Sequence, residues 1–354
     1  GQYNTALGAE ALTNNTTASS NTAVGYQSLY TNTTGASLSA VGVGALYANT
    51  TGSNNVAMGT SSLVSNTTGA SNTGLGRDAL RSNTTASNNT AVGHQAAYNN
   101  TTGTENTTLG RVSLLTNTTG NENTAIGSVA LYYNTTGSNN VAVGRQALNN
   151  NTTASNNTAV GFQALLANTT GTANTAIGRN SLQANTTADD NTASGMYSLY
   201  TNTTGASNTA HGRSALFSNT TGSSNVSVGA QALENNTTAG NNVAVGYQAG
   251  FSNTTGAQNT MLGNTAGRSA TTGSYSTFLG RDSGYYITTG TKNVILGSYN
   301  GNQGSLDIRT SNNNIVLSDG DGNPRLKIDS TGVVHIPGSA VNPGTSGEVG
   351  LRFF

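Results

Sequence analysis

The stretch NTAVGYQSLYTNTTGAS, residues 21–37, recurs along the whole chain with small variations. It holds small residues, Asn, Thr and a few hydrophobic residues, none of which is a typical catalytic group. The Gly that closes N-T-A-V-G returns eighteen times at an unbroken spacing of 17 residues, from Gly8 to Gly297. Fixed short periods are typical of solenoids, in which each repeat packs only on its neighbours.

The residues of the repeat favour β-structure. A period of 17 residues is too short for two-helix repeats, and Val, Thr, Asn and Gly are poor helix formers. The segment T-A-V-G alternates as a short strand does. We therefore predict an all-β fold, a parallel β-solenoid or β-roll of about eighteen 17-residue coils. Coils stacked about 4.8 Å apart would form an array roughly 80 to 90 Å long.

Asn occupies two repeated positions. Asn stands four residues before the Gly in sixteen of eighteen repeats, the exceptions being Leu38 and Ser276. A second Asn, seven residues after the Gly, runs unbroken from Asn15 to Asn253 and is always followed by Thr-Thr. Stacked Asn side chains predict hydrogen-bonded ladders and turns. The N-T-T triplets also match the N-glycosylation acceptor, but glycans about 4.8 Å apart would not all fit, so the ladder is preferred.

Variation between repeats predicts which positions pack together. Leu usually stands four residues after the Gly, and Ala two residues before it. Near the end of the array Leu becomes Gly, and the Ala position of the following coil becomes large, which predicts that the two positions share one space. The replacements are Gly250, Gly267 and Gly284, followed by Met261, Phe278 and Ile295. Gly74 and Ser227 also replace the Ala and have no such compensation in the sequence.

Each coil offers only about two large apolar side chains: the Leu, and an aliphatic or Met residue directly before the Gly in sixteen repeats. Such a coil has a thin core and leaves an apolar strip uncovered. Three rolls side by side around a threefold axis would close that strip. We therefore predict a homotrimer, with a monomeric solenoid as the alternative.

The phrase N-T-A-V-G-x-x-A-L, with the variant N-V-A-V-G at residues 140–144 and 242–246, resembles the repeat of trimeric autotransporter adhesin heads. Those heads are trimeric left-handed parallel β-rolls. The longer form with Y-Q-x-L and N-T-T-G resembles repeats of bacteriophage tail fibres. The segment IVLSDGDGNPRLKIDSTGVVHIPG, residues 315–338, resembles tail-fibre sequence that follows such arrays. The resemblance covers residues 1–297 for the repeat and 305–340 for the tail.

This resemblance implies a structural shaft or adhesive segment of a phage tail fibre, extracellular and part of the virion. It would hold or present host-surface recognition. The implied partners are two further copies of the chain, other fibre or tail proteins, and a host surface polysaccharide or receptor. The alternative is the head of a bacterial trimeric surface adhesin, located at the bacterial cell surface. The sequence contains no membrane-anchor segment of an adhesin, which favours the fibre. A third class is ice binding, because Thr-Thr recurs on every coil.

The composition argues against several other classes. Charged residues are 7% of the chain and balance at 13 against 13, so we expect neither a nucleic-acid nor a membrane partner. There is no Cys, the three His have no metal-ligand spacing, and no Gly-rich phosphate loop is found. Asp319, Asp321 and Asn323 have the spacing of a calcium loop, but Pro324 replaces its Gly. We predict no enzyme activity, catalytic residue, metal or cofactor.

The 17-residue period stops after Gly301. The array is therefore assigned to residues 1–301 and a β-hairpin cap or transition region to residues 302–338. Residues 339–354 are assigned to a linker and the start of a further strand. Such a cap would cover the exposed edge of the last coil.

Two features of the repeat are candidate sites. Ser194 and His211 replace the aliphatic residue before the Gly in consecutive coils. They would form a polar layer in the roll core or, in a trimer, at the threefold axis. The second feature is a set of arginines directly after the Gly on a 34-residue spacing, which suggests a row that contacts anionic surface glycans. Its members are Arg77, Arg111, Arg145, Arg179, Arg213 and Arg281. The alternative is an ordinary solvated surface.

Overall fold

The computed structural model describes residues 1–336, which consist of strands and turns. Within this range no helix is long and apolar enough to cross a membrane. The prediction of an all-β parallel solenoid is confirmed, and it has eighteen coils at the predicted 17-residue spacing. The linker and further strand predicted for 339–354 lie outside the described residues.

Each coil contributes one strand of three residues. Strands β1 to β18 are Thr5–Leu7, Thr22–Val24, Ser39–Val41, Val56–Met58, Thr73–Leu75, Thr90–Val92, Thr107–Leu109, Thr124–Ile126, Val141–Val143, Thr158–Val160, Thr175–Ile177, Thr192–Ser194, Thr209–His211, Val226–Val228, Val243–Val245, Thr260–Leu262, Thr277–Leu279 and Val294–Leu296. Five further strands follow. They are β19 (Asn302–Gln303), β20 (Leu306–Asp307), β21 (Ile315–Ser318), β22 (Pro324–Ile328) and β23 (Val334–His335).

The strands β1 to β18 form one continuous parallel sheet. Equivalent residues lie opposite each other, so that Ala23 pairs with Ala6 on one side and with Ala40 on the other. Because side chains alternate along a strand, the Ala points inward and its two neighbours point outward. Ala23 is fully buried, as are Ser28 and Leu29 from the next part of the same coil. The core is therefore a narrow column of Ala, Ser and Leu.

The repeat Gly is required by the stacking of the coils. Gly25 has a φ of 131°, and a Cβ atom there would lie 2.6 Å from the carbonyl oxygen of Gly42 in the next coil. Any side chain would force the coils apart, which explains why this Gly never varies. The core Leu positions are also unusual, since Leu29 has a φ of 52°. Left-handed backbone is therefore built into every coil.

Both predicted Asn ladders are present. In the ladder of the N-T-T triplets, Asn49 Nδ2 donates to Asn32 Oδ1 of the preceding coil at 2.9 Å and to the Gly52 carbonyl oxygen at 2.9 Å. In the other ladder, the Leu38 N–H donates to Asn21 Oδ1 at 2.9 Å. Asn49 is fully buried, so its amide nitrogen is committed to the fold and has no room for a glycan. The ladder interpretation of the triplets is confirmed.

The predicted exchange of volume between Leu and Ala positions is seen in atomic contacts. A Cβ atom on Gly250 would lie 2.7 Å from Met261 Cε, and one on Gly267 would lie 2.8 Å from Phe278 Cδ2. Gly284 differs from the expectation, because its space is filled by Phe278 of its own coil. The Ala position thus packs against the Leu positions of two coils.

The uncompensated changes in the Ala row are explained by hydrogen bonds that the sequence pattern did not reveal. The Ser62 hydroxyl of the preceding coil fills the space at Gly74 and donates to the Gly74 carbonyl oxygen at 2.8 Å. Ser227 donates to the Ala232 carbonyl oxygen at 2.7 Å. Both sites are therefore packed and bonded.

The C-terminal cap continues the sheet. Strand β21 pairs in parallel with β18, with Val316 opposite Ile295, and Asn314 Nδ2 donates to Asn293 Oδ1 at 3.0 Å. The spacing between these two Asn residues is 21, and the extra residues contain the β19–β20 hairpin. Strand β22 then pairs antiparallel with β21, and β23 antiparallel with β22. The cap thus begins as a nineteenth rung and turns back to close the array.

Candidate functional surfaces

The outward face of the long sheet carries a row of aliphatic side chains. We call the residues directly before each repeat Gly, from Leu7 to Leu296, the pre-glycine row. Because the intervening Ala turns into the core, this row points away from it. Met58, Leu109 and Ile177 are 47%, 48% and 44% exposed. Contiguous apolar surface of this kind is typical of interaction sites.

Of the two placements considered for Ser194 and His211, the structure excludes the roll core. They lie opposite each other on β12 and β13 and belong to the pre-glycine row, so they do not sit in the roll core. His211 is exposed and Ser194 is half-buried. They form a polar interruption of an apolar face. Among residues 1–336 no group of three or more His, Asp or Glu side chains is arranged to hold a metal ion.

Arg77 and Arg281, from opposite ends of the arginine row, are paired with neighbouring carboxylates. Arg77 lies 3.0 Å from Asp78, and Arg281 lies 3.3 Å from Asp282. Burial alone would raise the pKa of Asp78, but hydrogen bonds from Arg77 and Arg81 outweigh it and hold that pKa below its usual value. These guanidinium groups keep most of their surface in solvent, with 64% and 71% of the two arginine side chains exposed.

In the middle of the arginine row, the guanidinium groups lie over aromatic rings. The guanidinium carbons of Arg145 and Arg179 lie 5.9 and 6.0 Å from the centre of the Phe162 ring, one coil away from each. Arg179 also lies 5.9 Å from the Tyr197 ring. A cation over a ring face at this distance is attracted to the ring. The alternate-coil spacing therefore places a ring between two positive charges.

Further aromatic contacts lie beside Arg179 and Tyr197, and they were not predicted from the sequence. Tyr200 and Phe217 stack with ring centres 5.1 Å apart, and Tyr197 meets both edge-on. Tyr200 and Phe217 share one repeat position, whereas Tyr197 lies two residues after the Gly, so the three rings do not form a single row of the sequence. The signal that was available is the aromatic residue five positions after the Gly in two successive coils.

The two threonines of each triplet have different roles. The first uses its hydroxyl inside the fold, as when Thr33 Oγ1 donates to the Thr50 carbonyl oxygen at 3.0 Å. The second, such as Thr34, is exposed. Each coil thus presents one outward threonine from this pair, although the pair lies in a bend and not in a strand as the sequence suggested.

Comparison of the chain with protein-family models, with characterised proteins and with solved structures gives no match. A functional proposal therefore depends on the surfaces described above and on the resemblance of the repeat to fibre and adhesin sequences.

Proposed function

We propose that three identical copies of this chain form a segment of a phage tail-fibre shaft. The shaft would hold or present the part of the fibre that recognises the host surface. The observation that carries the proposal is the pre-glycine row, which is aliphatic or Met on sixteen of the eighteen strands and which the single chain leaves exposed or partly exposed. Hydrophobic burial contributes roughly 25 cal/mol per Å² of apolar surface removed from water. Repeated along the sheet, this gives a strong drive to associate.

The narrowness of the stripe supports three copies around one axis. Each strand contributes only two outward residues, so a single face is about two side chains wide. Three such faces meeting along an axis exclude water from all of them, and every copy keeps the same environment. In this arrangement three copies of His211 lie near the axis. The resemblance to trimeric adhesin heads independently favours three copies.

The mechanism of a shaft is mechanical. Backbone hydrogen bonds, two Asn ladders and the Thr hydroxyl bonds all run from coil to coil along the same direction. Bending the array would stretch many of these bonds at once on one side. An array roughly 80 to 90 Å long would therefore act as a stiff spacer, and it would need no cofactor to do so.

The arginine row supports a second part of the proposal, contact with an anionic host polysaccharide. Arg145 and Arg179 are held over Phe162 and, among the described residues, form no ion pair. Their charge therefore remains available to a ligand. Replacing both with Gln should weaken retention on an immobilised anionic polysaccharide, and high salt should weaken retention of the unaltered chain.

The first experiment is the solution mass of the folded chain by light scattering. Three chains of 35.6 kDa give about 107 kDa, the expected result. A folded species of about 36 kDa would refute the trimer, and about 71 kDa would replace it with a dimer. Circular dichroism on the same sample verifies that the measured species is folded.

The alternative is the head of a bacterial trimeric adhesin, which the same apolar face and the N-V-A-V-G variants favour. The two functions differ in their target. A fibre segment should bind intact bacteria or their extracted polysaccharide, whereas an adhesin head should bind matrix proteins or host cells. Binding of the purified trimer to both kinds of surface, side by side, discriminates between them.

A further inference from the structure

A cleft of about 280 Å³ lies where the last coils of the array meet the cap. One wall comes from the seventeenth coil, and the other from the residues after β18, from β19 and from the turn after β21. The lining residues used below are Arg281, Asp282, Tyr286, Asn300, Gln303 and Asp321. The cleft is not part of the repeated surface, because Gln303 and Asp321 of the cap complete it.

An aromatic platform forms one side. Tyr285 and Tyr286 meet edge to face, with ring centres 4.7 Å apart at 73°. Tyr285 is held from behind, since its hydroxyl accepts a hydrogen bond from Arg268 Nη1 at 3.2 Å. Tyr286 is 48% exposed and lines the cleft. An amphipathic ring held in this way offers an apolar face with a polar tip.

Unused hydrogen-bonding groups form the other side. Among the described residues, the Asp321 carboxylate makes no hydrogen bond or ion pair. Asn300 accepts the Asn302 N–H with its Oδ1 at 2.9 Å, which leaves its Nδ2 to donate. Gln303 donates its Nε2 to the Asp321 carbonyl oxygen at 2.9 Å, which leaves its Oε1 to accept. The cleft thus presents both donors and acceptors to a ligand.

The charges of the lining select against an anion. Arg281 is the cation, and Asp282 at 3.3 Å already compensates it. Asp321 adds a further negative charge, so the lining is negative overall. The volume lies just below the range for small-molecule sites, roughly 300 to 1,000 Å³, which suits a single ring rather than an extended chain.

We propose that this cleft binds one neutral pyranose unit of a polysaccharide. The apolar C–H face of the sugar would stack on Tyr286, and its hydroxyl groups would donate to Asp321 and accept from Asn300. This site goes beyond the proposed shaft function and differs from the arginine row in the charge of the glycan it selects. It does not depend on the number of chains in the assembly.

The test is saturation-transfer NMR on the full chain with the methyl glycosides of glucose, galactose and mannose, and methyl glucuronide as the anionic probe. At least one neutral glycoside should receive saturation. Tyr286→Ala should weaken its binding by about tenfold or more, and Asp321→Asn should also weaken it. Tyr133→Ala is the matched control, because Tyr132 and Tyr133 form the same ring pair, 4.6 Å apart at 73°, away from the cap.

Three results would overturn the proposal: no saturation of any neutral glycoside, preference for the glucuronide, or equal weakening by Tyr133→Ala and Tyr286→Ala. The last would assign binding to exposed tyrosines in general. Light scattering of every variant keeps this outcome separate from the shaft proposal, since loss of sugar binding with an unchanged mass leaves the trimer intact.

Discussion

The buried Oδ1 of Asn253 has no hydrogen-bond partner, because Ala270 stands one coil further on, where the preceding coils supply an Asn. Asn253 Nδ2 still donates to Asn236 Oδ1 at 2.8 Å and to the Gly256 carbonyl oxygen at 2.9 Å. The ladder therefore ends with an unpaired acceptor. A buried polar group without a partner costs about 1–3 kcal/mol.

The unpaired end of the ladder predicts that Asn→Ala lowers the free energy of unfolding by different amounts in the middle of the ladder and at its end. Asn151→Ala removes a residue bonded on both sides, to Asn134 at 2.8 Å and to Asn168 at 3.0 Å, and should lower the free energy of unfolding by about 2–4 kcal/mol. Asn253→Ala also removes an unpaired acceptor, so it should cost about 1 kcal/mol less. Guanidinium unfolding at one fixed protein concentration measures both. Equal costs would contradict the role given to Ala270.

The trimer proposal predicts that a charge in the pre-glycine row dissociates the chains. Ile177→Asp would bring three carboxylates together on the apolar face, and the mass should fall from about 107 kDa towards the 35.6 kDa of one chain. Thr187→Asp, on an exposed position of the same coil, is the control and should leave the mass unchanged. Light scattering with circular dichroism reads out both variants. A stable trimer of Ile177→Asp would remove this face from the interface.

The polar layer of Ser194 and His211 tests the same interface in the opposite direction, by adding apolar side chains instead of a charge. Replacing both with Val restores the aliphatic row and should stabilise the trimer by about 1–2 kcal/mol if the row is buried between chains. His94→Val, at an exposed position directly after a repeat Gly, should change stability by less than about 0.5 kcal/mol. Thermal unfolding at matched concentration compares them. Equal, negligible effects would indicate that the pre-glycine row faces solvent.

The sequence was sufficient to predict the fold because its signals are periodic. The invariant Gly, the Asn residues and the Leu–Ala exchange each repeat every 17 residues, so their packing follows from stacking alone. The direction of the pre-glycine row was left open, since alternation fixes only that neighbours face opposite sides. The cleft was not foreseen, because it joins Tyr286 to Asp321 across the cap, where no period relates them. The stacking of Val316 on Ile295 was hidden by the change in spacing from 17 to 21 residues.

The contact between Gly284 and Phe278 predicts a coupled pair. A Cβ on Gly284 would lie 2.8 Å from Phe278 Cδ1, so Gly284→Leu should overpack the core and cost about 1–3 kcal/mol. Phe278→Ala should cost about 3–5 kcal/mol through the cavity it leaves. The double substitution restores the pairing of the earlier coils and should cost at least about 1 kcal/mol less than the sum. Additive costs from a double-mutant cycle would show that the two positions do not share one space.

The cap predicts a loss of local stability in acid. The pKa of Asp319 is lowered to about 2, mainly because its carboxylate accepts a hydrogen bond from the Asn323 backbone N–H. Desolvation opposes this shift, and the hydrogen bond from Arg325 adds to it. A carboxyl group with a lowered pKa contributes its full stabilisation above its unfolded value of about 3.9 and loses it as the pH falls through the folded value. Hydrogen exchange of peptide 315–328 should therefore lose protection, after correction for the intrinsic rate, between about pH 4 and 2. Peptide 141–160 of the array serves as the internal reference. Asp319→Asn should flatten the pH dependence of the cap peptide, and an unchanged profile in that variant would assign the acid sensitivity to another group, such as Asp329 beside His335.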